Sequence, residues 1–244
     1  MQRRLIPARQ IGAKGVVACM LDIGLCPGRI EDELLDFVGQ PDFPCVGAKS
    51  AMARGALKIL PCWSLTSAWD DVRIHRELLE WAQSYRASPD GLRSLAIVFD
   101  EPRALGEAEF EAALWARIQS LADKDHWLGE PYDHRVSGDP DDPHFSLSFG
   151  GEAFFAVGLH PNASRPARRS PAPTLVFNLH DQFERLREEG RYERMRERIL
   201  DRDRALAGDI NPMLARHGDA SEARQYSGRA VNDDWQCPFK DPRA

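Results

Sequence analysis

Between Phe154 and Gly190 the chain reads FFAVGLHPNASRPARRSPAPTLVFNLHDQFERLREEG, and its residue types there suit a particular chemistry. An apolar strand delivers His160 to a strand end, the loop behind it carries Arg165, Arg168 and Arg169, and a second apolar strand delivers His180. An imidazole beside fixed cations and an apolar wall is what a haem pocket needs: an axial nitrogen for iron, a slot for the macrocycle, and cations for two propionates. Guanidinium forks match carboxylates bidentately, so the arginines are the candidate propionate partners, with one or two of them expected to face the haem.

Other residues compete for these roles. Cys45, in FPC at a helix start, is an alternative axial ligand, because a thiolate pushes electron density onto iron and suits oxygen activation. A helix N-terminus is expected to lower its pKa; the plainer reading is a small buried hydrophobe. Cys237, between Gln236 and Pro238, reads as packing. In the tail, Arg224, Tyr226 and Arg229 either close the pocket, with Tyr226 donating to bound oxygen or substrate, or form a buried polar network that pins the C-terminus. A metal hydrolase would draw on His144, His160, His180 and Cys237, but no HExxH or other compact ligand spacing supports it. A haem- or phosphate-binding module without turnover would use the same basic loop.

These groups must be positioned by ordered elements. The chain of 244 residues can bury one sizeable core, and its net charge of −6 argues against a general nucleic-acid binder. Its 5 cysteines are odd in number and irregularly spaced, which points to a reducing, cytoplasmic setting. The apolar run GVVACMLDIGLC is interrupted by Asp22, is too short to span a bilayer and lacks a clean cleavage site, so no membrane association is expected. Residues 1–30 stay uninterpreted, and 31–244 read as a single domain.

Helical spacing predicts a helix from Ile30 to Gly39, another from Pro44 to about Lys58 stopped by Pro61, and a third through Ile74, Leu78, Trp81 and Tyr85. SLAIVFD from Ser94 reads as a buried strand, followed by a helix with Phe110, Leu114, Ile118 and Leu121 on one face. The stretch to His144 is loop, whose acids Asp139, Asp141 and Asp142, with Glu152 beyond, are candidates to face a cationic substrate. Gly150 and Gly151 supply a two-residue primed turn. Its pairing puts Phe145, Leu147 and Phe149 on one face with Phe154, Ala156, Gly158 and His160, and the thinning at Ala156 and Gly158 predicts room for a flat ligand beside the imidazole. The other face, with Ser146, Ser148, Phe155 and Val157, is mixed, so the sheet should be covered on both sides. Asp181 and Glu184 form an apparent capping box for the helix closed by Gly190. A charged helix follows from Tyr192 to Ala207, its stripe Tyr192, Met195, Ile199 and Leu206. The fold class is α+β: an antiparallel sheet containing a Gly-Gly hairpin, flanked by helices.

FPCVGAKSA, PHFSLSFGGEAFFAVGLHPNASRPARR, LVFNLHDQFERLREEGRYERMRERILDRDRALAGDINPML, SEARQYSGR and WQCPF together resemble the YqcI/YcgG family, from about Phe43 to Phe239. The resemblance implies a haem b protein acting as a haem-dependent monooxygenase, an N-hydroxylase of a guanidino group in arginine or a cyclic guanidine. It implies His160 of GLHP as axial ligand, with Cys45 still competing, and Ser164, Arg165, Arg168, Arg169 and Phe154 at the cofactor. Tyr226 and Arg224 of ARQYSGR would serve catalysis. The partners implied are a small guanidino substrate and an external electron donor or peroxide, since no GxGxxG fingerprint is present. Homodimer formation stays open.

Overall fold

The computed structural model describes residues 28–214 and 218–243; the expectations for Cys19, Cys26 and the rest of the first 27 residues lie outside them. Helix α1 (Arg29–Gly39) and the short α2 (Val46–Ala53) precede strand β1 (Leu57–Ser64). Then come α3 (Asp71–Ala87), β2 (Ser94–Glu101) and α4 (Glu107–Trp127). The hairpin β3 (Leu147–Phe149) and β4 (Glu152–Leu159) is followed by β5 (Thr174–Leu179), α5 (His180–Glu188), α6 (Tyr192–Ala207) and α7 (Ala223–Tyr226).

The strands form one five-stranded sheet in the order β1-β2-β5-β4-β3. Only β1 and β2 are parallel, joined through α3; β2–β5, β5–β4 and β4–β3 are antiparallel. The fold is therefore α+β with a mostly antiparallel sheet. Gly150 and Gly151, at φ +57° and +77°, join β3 to β4, with Phe149 opposite Glu152 and Leu147 opposite Phe154.

Two local expectations need correction. The helix opened by Pro44 does not reach Lys58: it stops at Ala53, and Leu57–Ser64 is an edge strand containing Pro61. Gly55, at φ +67°, takes the left-handed position, its N–H donating to Met52 O at 3.0 Å, while Ala56 N–H donates to Ala51 O at 2.8 Å. That pair of bonds is a Schellman closure, and an edge strand tolerates the proline that a central one would not. Secondly, no capping box forms at α5, because Asp181 accepts instead from Tyr85 Oη at 2.7 Å. A tertiary partner outcompetes the local cap.

Alternation divides the packing into layers. On one face, Phe154, Ala156, Leu175, Phe177 and Leu179 join Ile74 and Leu78 of α3 and Phe110, Leu114 and Ile118 of α4 in the main core. On the other, Ala96, Val98 and Leu159 meet Ile30, Leu34, Phe37 and Val38 of α1 and Phe43 beyond it. Helices α5 and α6 cover the rest of this second face, while α7 lies against β4 with Ala223 and Tyr226 in the main core. Helix α6 contacts the Pro166–Arg168 turn, α2 and α5, so it forms a roof over the sheet.

Candidate functional site

A cavity of about 330 Å³ lies on that second face, beneath α6. Its size falls within the roughly 300–1,000 Å³ of small-molecule sites. The floor is sheet: Leu57 of β1, Ser94 and Ala96 of β2, Val176 and Asn178 of β5, Phe155 and Val157 of β4. The roof is the stripe Tyr192, Met195 and Ile199 of α6, which reads in sequence as a simple packing stripe. Polar groups enter at the margins: Cys45, Arg165, Arg168, His180, Asp203, Glu222 and Gln225.

Cys45 is the N-cap of α2, and its Sγ accepts from Ala48 N–H at 3.4 Å. Burial pushes its thiol pKa up, against the smaller lowering by the Ala48 and Gly47 N–H groups and by the Arg168 charge. The expected thiol acidification therefore does not hold: the helix start is present, but desolvation outweighs it. A metal on the sulfur would reverse that balance, because coordination deprotonates a thiol outright.

The basic loop splits its duties. Arg165 reaches the cavity but is paired with Asp203 at 2.6 Å and Asp209 at 2.9 Å, which ties the loop to α6. Arg168 donates only to carbonyls, Gly158 O at 2.9 Å, Gln225 O at 3.1 Å and Tyr226 O at 3.4 Å. Among the described residues no carboxylate lies within ion-pair distance of it. Burial pulls its guanidinium down to about 10, partly offset by Asp203 and Cys45, so it remains a cation at neutral pH. A desolvated cation facing an apolar cavity is suited to an anionic group of a ligand. Arg169 turns away and braces its own loop through Ala163 O at 2.9 Å and Ser164 O at 2.8 Å. Ser164 bonds Glu107 at 2.7 Å and does not line the cavity.

His160 lies on the opposite face. Its ring stacks on Phe110 with centroids 4.3 Å apart, burial lowers its pKa, and its Nδ1 has no hydrogen-bond partner among the described residues. The predicted room beside it is filled: a Cβ on Gly158 would stand 2.6 Å from Leu114 Cδ1, 2.8 Å from Phe110 Cε1 and 2.9 Å from Tyr226 O. The thinning of the ribbon accommodates α4 and α7, not a flat ligand. Iron ligation by His160 would require α4 to withdraw from the sheet. Phe154, on the same face, packs against Phe149 and Phe177 at 6.0 and 6.3 Å and does not line this cavity.

The tail residues pin the chain end. Tyr226 is fully buried against Trp115 and Phe155, with ring centroids at 5.7 and 5.3 Å. Arg224 donates to Asn232 O at 2.8 Å and Asp233 O at 2.9 Å, and Arg229 Nε to Glu111 at 2.9 Å. None of the three lines the cavity, whereas Glu222 and Gln225 of the same segment do.

The loop acids are turn-forming groups: Asp139 accepts from Asp141 N–H at 3.0 Å, and Asp142 from His144 N–H at 2.8 Å. Glu152 pairs with Arg135 at 3.0 Å. None of the four acids named from sequence lines the cavity. Nor do His144, His160, His180 and Cys237 converge, and among the described residues no group of three or more His, Cys, Asp or Glu could hold a metal ion. Burial pushes the Cys237 thiol up to about 12. His180 opens α5 and pairs with Glu184 at 3.1 Å. Among the described residues no helix is long and apolar enough to cross a membrane.

A model of the YqcI/YcgG family matches residues 34–240. The chain belongs to that family. No curated protein and no solved structure matches it. The matched span of this YqcI/YcgG protein takes in α2 with Cys45, the basic loop, the α6 roof and α7, so every group at the cavity margin lies within it.

The cavity's donor set fits a haem in kind. One sulfur stands at an apolar wall, and four arginines, Arg165, Arg168, Arg187 and Arg196, border the same space, so it offers the elements a thiolate-ligated haem requires. Cys45 would hold the iron; Arg168, and Arg165 on exchanging its acids, would hold the propionates.

Proposed function

We propose that this protein is a haem-dependent oxygenase that N-hydroxylates the guanidino group of a small molecule, arginine-like or cyclic. The observation that carries this reading is the apolar cavity bordered by Cys45, Arg165 and Arg168. When bound, haem would supply the oxidising power that no side chain has. With dioxygen, two electrons and two protons, one N–H becomes N–OH and the second oxygen leaves as water; with peroxide, the same product and one water form. The electrons or the peroxide come from outside the chain.

The chain's own part is to bind, orient and exclude water. The α6 stripe and the sheet floor desolvate the cavity, which strengthens every charge interaction inside it. Arg168 fixes the orientation of whatever anion it meets. Cys45, Cys62 and Cys237 are free thiols, in keeping with a reducing, cytoplasmic setting. A second reading, a haem- or anion-binding protein without turnover, draws on the same carboxylate-free Arg168.

Loading with haemin, then supplying dioxygen with a reductant, or peroxide, to L-arginine and cyclic guanidines separates the two. The oxygenase reading expects a product heavier by one oxygen atom, dependent on haem and oxidant, detected by mass spectrometry. Tight haemin binding with every guanidine recovered unchanged would leave only the binding protein.

A further inference from the structure

A line of oxidisable rings leads away from the cavity wall toward the molecular surface. Phe155 of β4 lines the cavity, and Tyr226 meets its ring edge-on with centroids 5.3 Å apart. Tyr226 stacks on Trp115 of α4 at 5.7 Å, and Trp115 faces Trp235 of the tail at 6.4 Å, all within aromatic contact. Tyr226 and Trp115 are buried, whereas Trp235 is half-buried. Phenol and indole give up an electron far more readily than a benzene ring does. Phe145 beside Tyr226 and Phe239 beside Trp115 therefore flank the line with rings that do not compete.

The proton positions suit one-electron traffic. Tyr226 Oη donates to Glu222 Oε2 at 3.5 Å, and burial, then the Glu222 charge, keep the proton on the phenol well above its ordinary range. Trp115 Nε1 is buried with no hydrogen-bond partner among the described residues. An indole that loses an electron there has no acceptor for its proton, so it stays a strong oxidant and draws an electron from the next ring.

We propose that Tyr226, Trp115 and Trp235 form an electron-transfer route that carries a surplus oxidising equivalent from the cavity to the surface when no guanidine consumes it. This rests on the oxygenase reading above, in which the cofactor supplies the oxidant. An oxidant formed from peroxide in the cavity takes one electron across Phe155 from Tyr226, whose proton moves along its hydrogen bond to Glu222. Tyr226 regains an electron from Trp115 and its proton from Glu222. Trp115 is refilled by Trp235, whose indole proton leaves to water. A small-molecule reductant, ascorbate or a thiol, returns one electron and one proton to Trp235. Repeating the passage once reduces one peroxide to water, the protons taken up at the cavity matching those released at the surface.

The test is to give haemin-loaded protein peroxide without guanidine or reductant, locate oxidation by peptide mass spectrometry, and follow organic radicals by electron paramagnetic resonance. Oxygen addition is expected at Trp235 ahead of Trp63, Trp69 and Trp127, although these are 39%, 76% and 82% exposed. Trp115→Phe should abolish that preference and speed the bleaching of the cofactor. Should this variant not fold, Tyr226→Phe keeps the ring, removes only the hydroxyl, and is expected to act in the same direction. Oxidation that simply follows exposure, or Trp235 oxidised equally in the folded variants, overturns the proposal. In haem-free protein, a photo-excited ruthenium polypyridyl oxidant should raise a tyrosyl signal that is lost in Tyr226→Phe and in Trp115→Phe alike. That result in protein that takes up no haemin sustains the route while removing the oxygenase reading, and a Tyr226 signal indifferent to Trp115 overturns the route.

Discussion

Replacing Gly158 by valine should cost about 3 kcal/mol or more of folding stability, at the upper end of what overpacking a core produces. The first added carbon already meets Leu114, Phe110 and the Tyr226 carbonyl, all at 2.9 Å or less. Two of those neighbours belong to α4, whose Phe110 and Leu114 are fully buried, and the third is backbone, so none can yield cheaply. The strand, α4 and α7 must separate. Urea unfolding of the haem-free protein measures this, and a loss below about 1 kcal/mol would mean that α4 does not lie against β4 as described.

One residue earlier the outcome inverts. Val157 points to the cavity, because successive strand residues face opposite sides of a sheet. Val157→Phe should therefore leave the fold standing, since the larger ring enters empty space. Haemin affinity should fall on the order of a hundredfold, about 2.7 kcal/mol, because the ring occupies the ligand's volume. Fluorescence quenching on haemin titration reads the affinity, and thermal unfolding reads the fold. Unfolding by Val157→Phe, or undiminished haemin binding, would put the ligand elsewhere.

The contrast between Gly158 and Val157 also explains what sequence patterning could and could not convey. Period-two alternation and the Gly150–Gly151 turn identify which residues of β3 and β4 share a face, and the register agrees. Alternation does not say what lies opposite each face. Gly158 reads equally as room for a ligand or room for a helix, and only the packing of α4 decides between them. The strand β1 is hidden by its proline, which reads as a helix stop until its position at the sheet edge is known. Cys45, Arg165 and Arg168 are legible because their types and local settings are unusual. Glu222 is not, since one acid among many acquires meaning only when α7 carries it to the cavity. Asp181 fails as a cap for the same reason: its partner, Tyr85, lies far away in sequence.

If the cavity on the α6 side takes haem with Cys45 as axial ligand, the absorption spectrum of the ferrous–CO form will report it. Wild-type protein loaded with haemin should give the long-wavelength band of thiolate ligation, lost in Cys45→Ser and retained in His160→Ala. A short-wavelength imidazole-type band that survives Cys45→Ser and disappears only in His160→Ala would contradict the account, and would mean that α4 leaves the sheet when the cofactor binds.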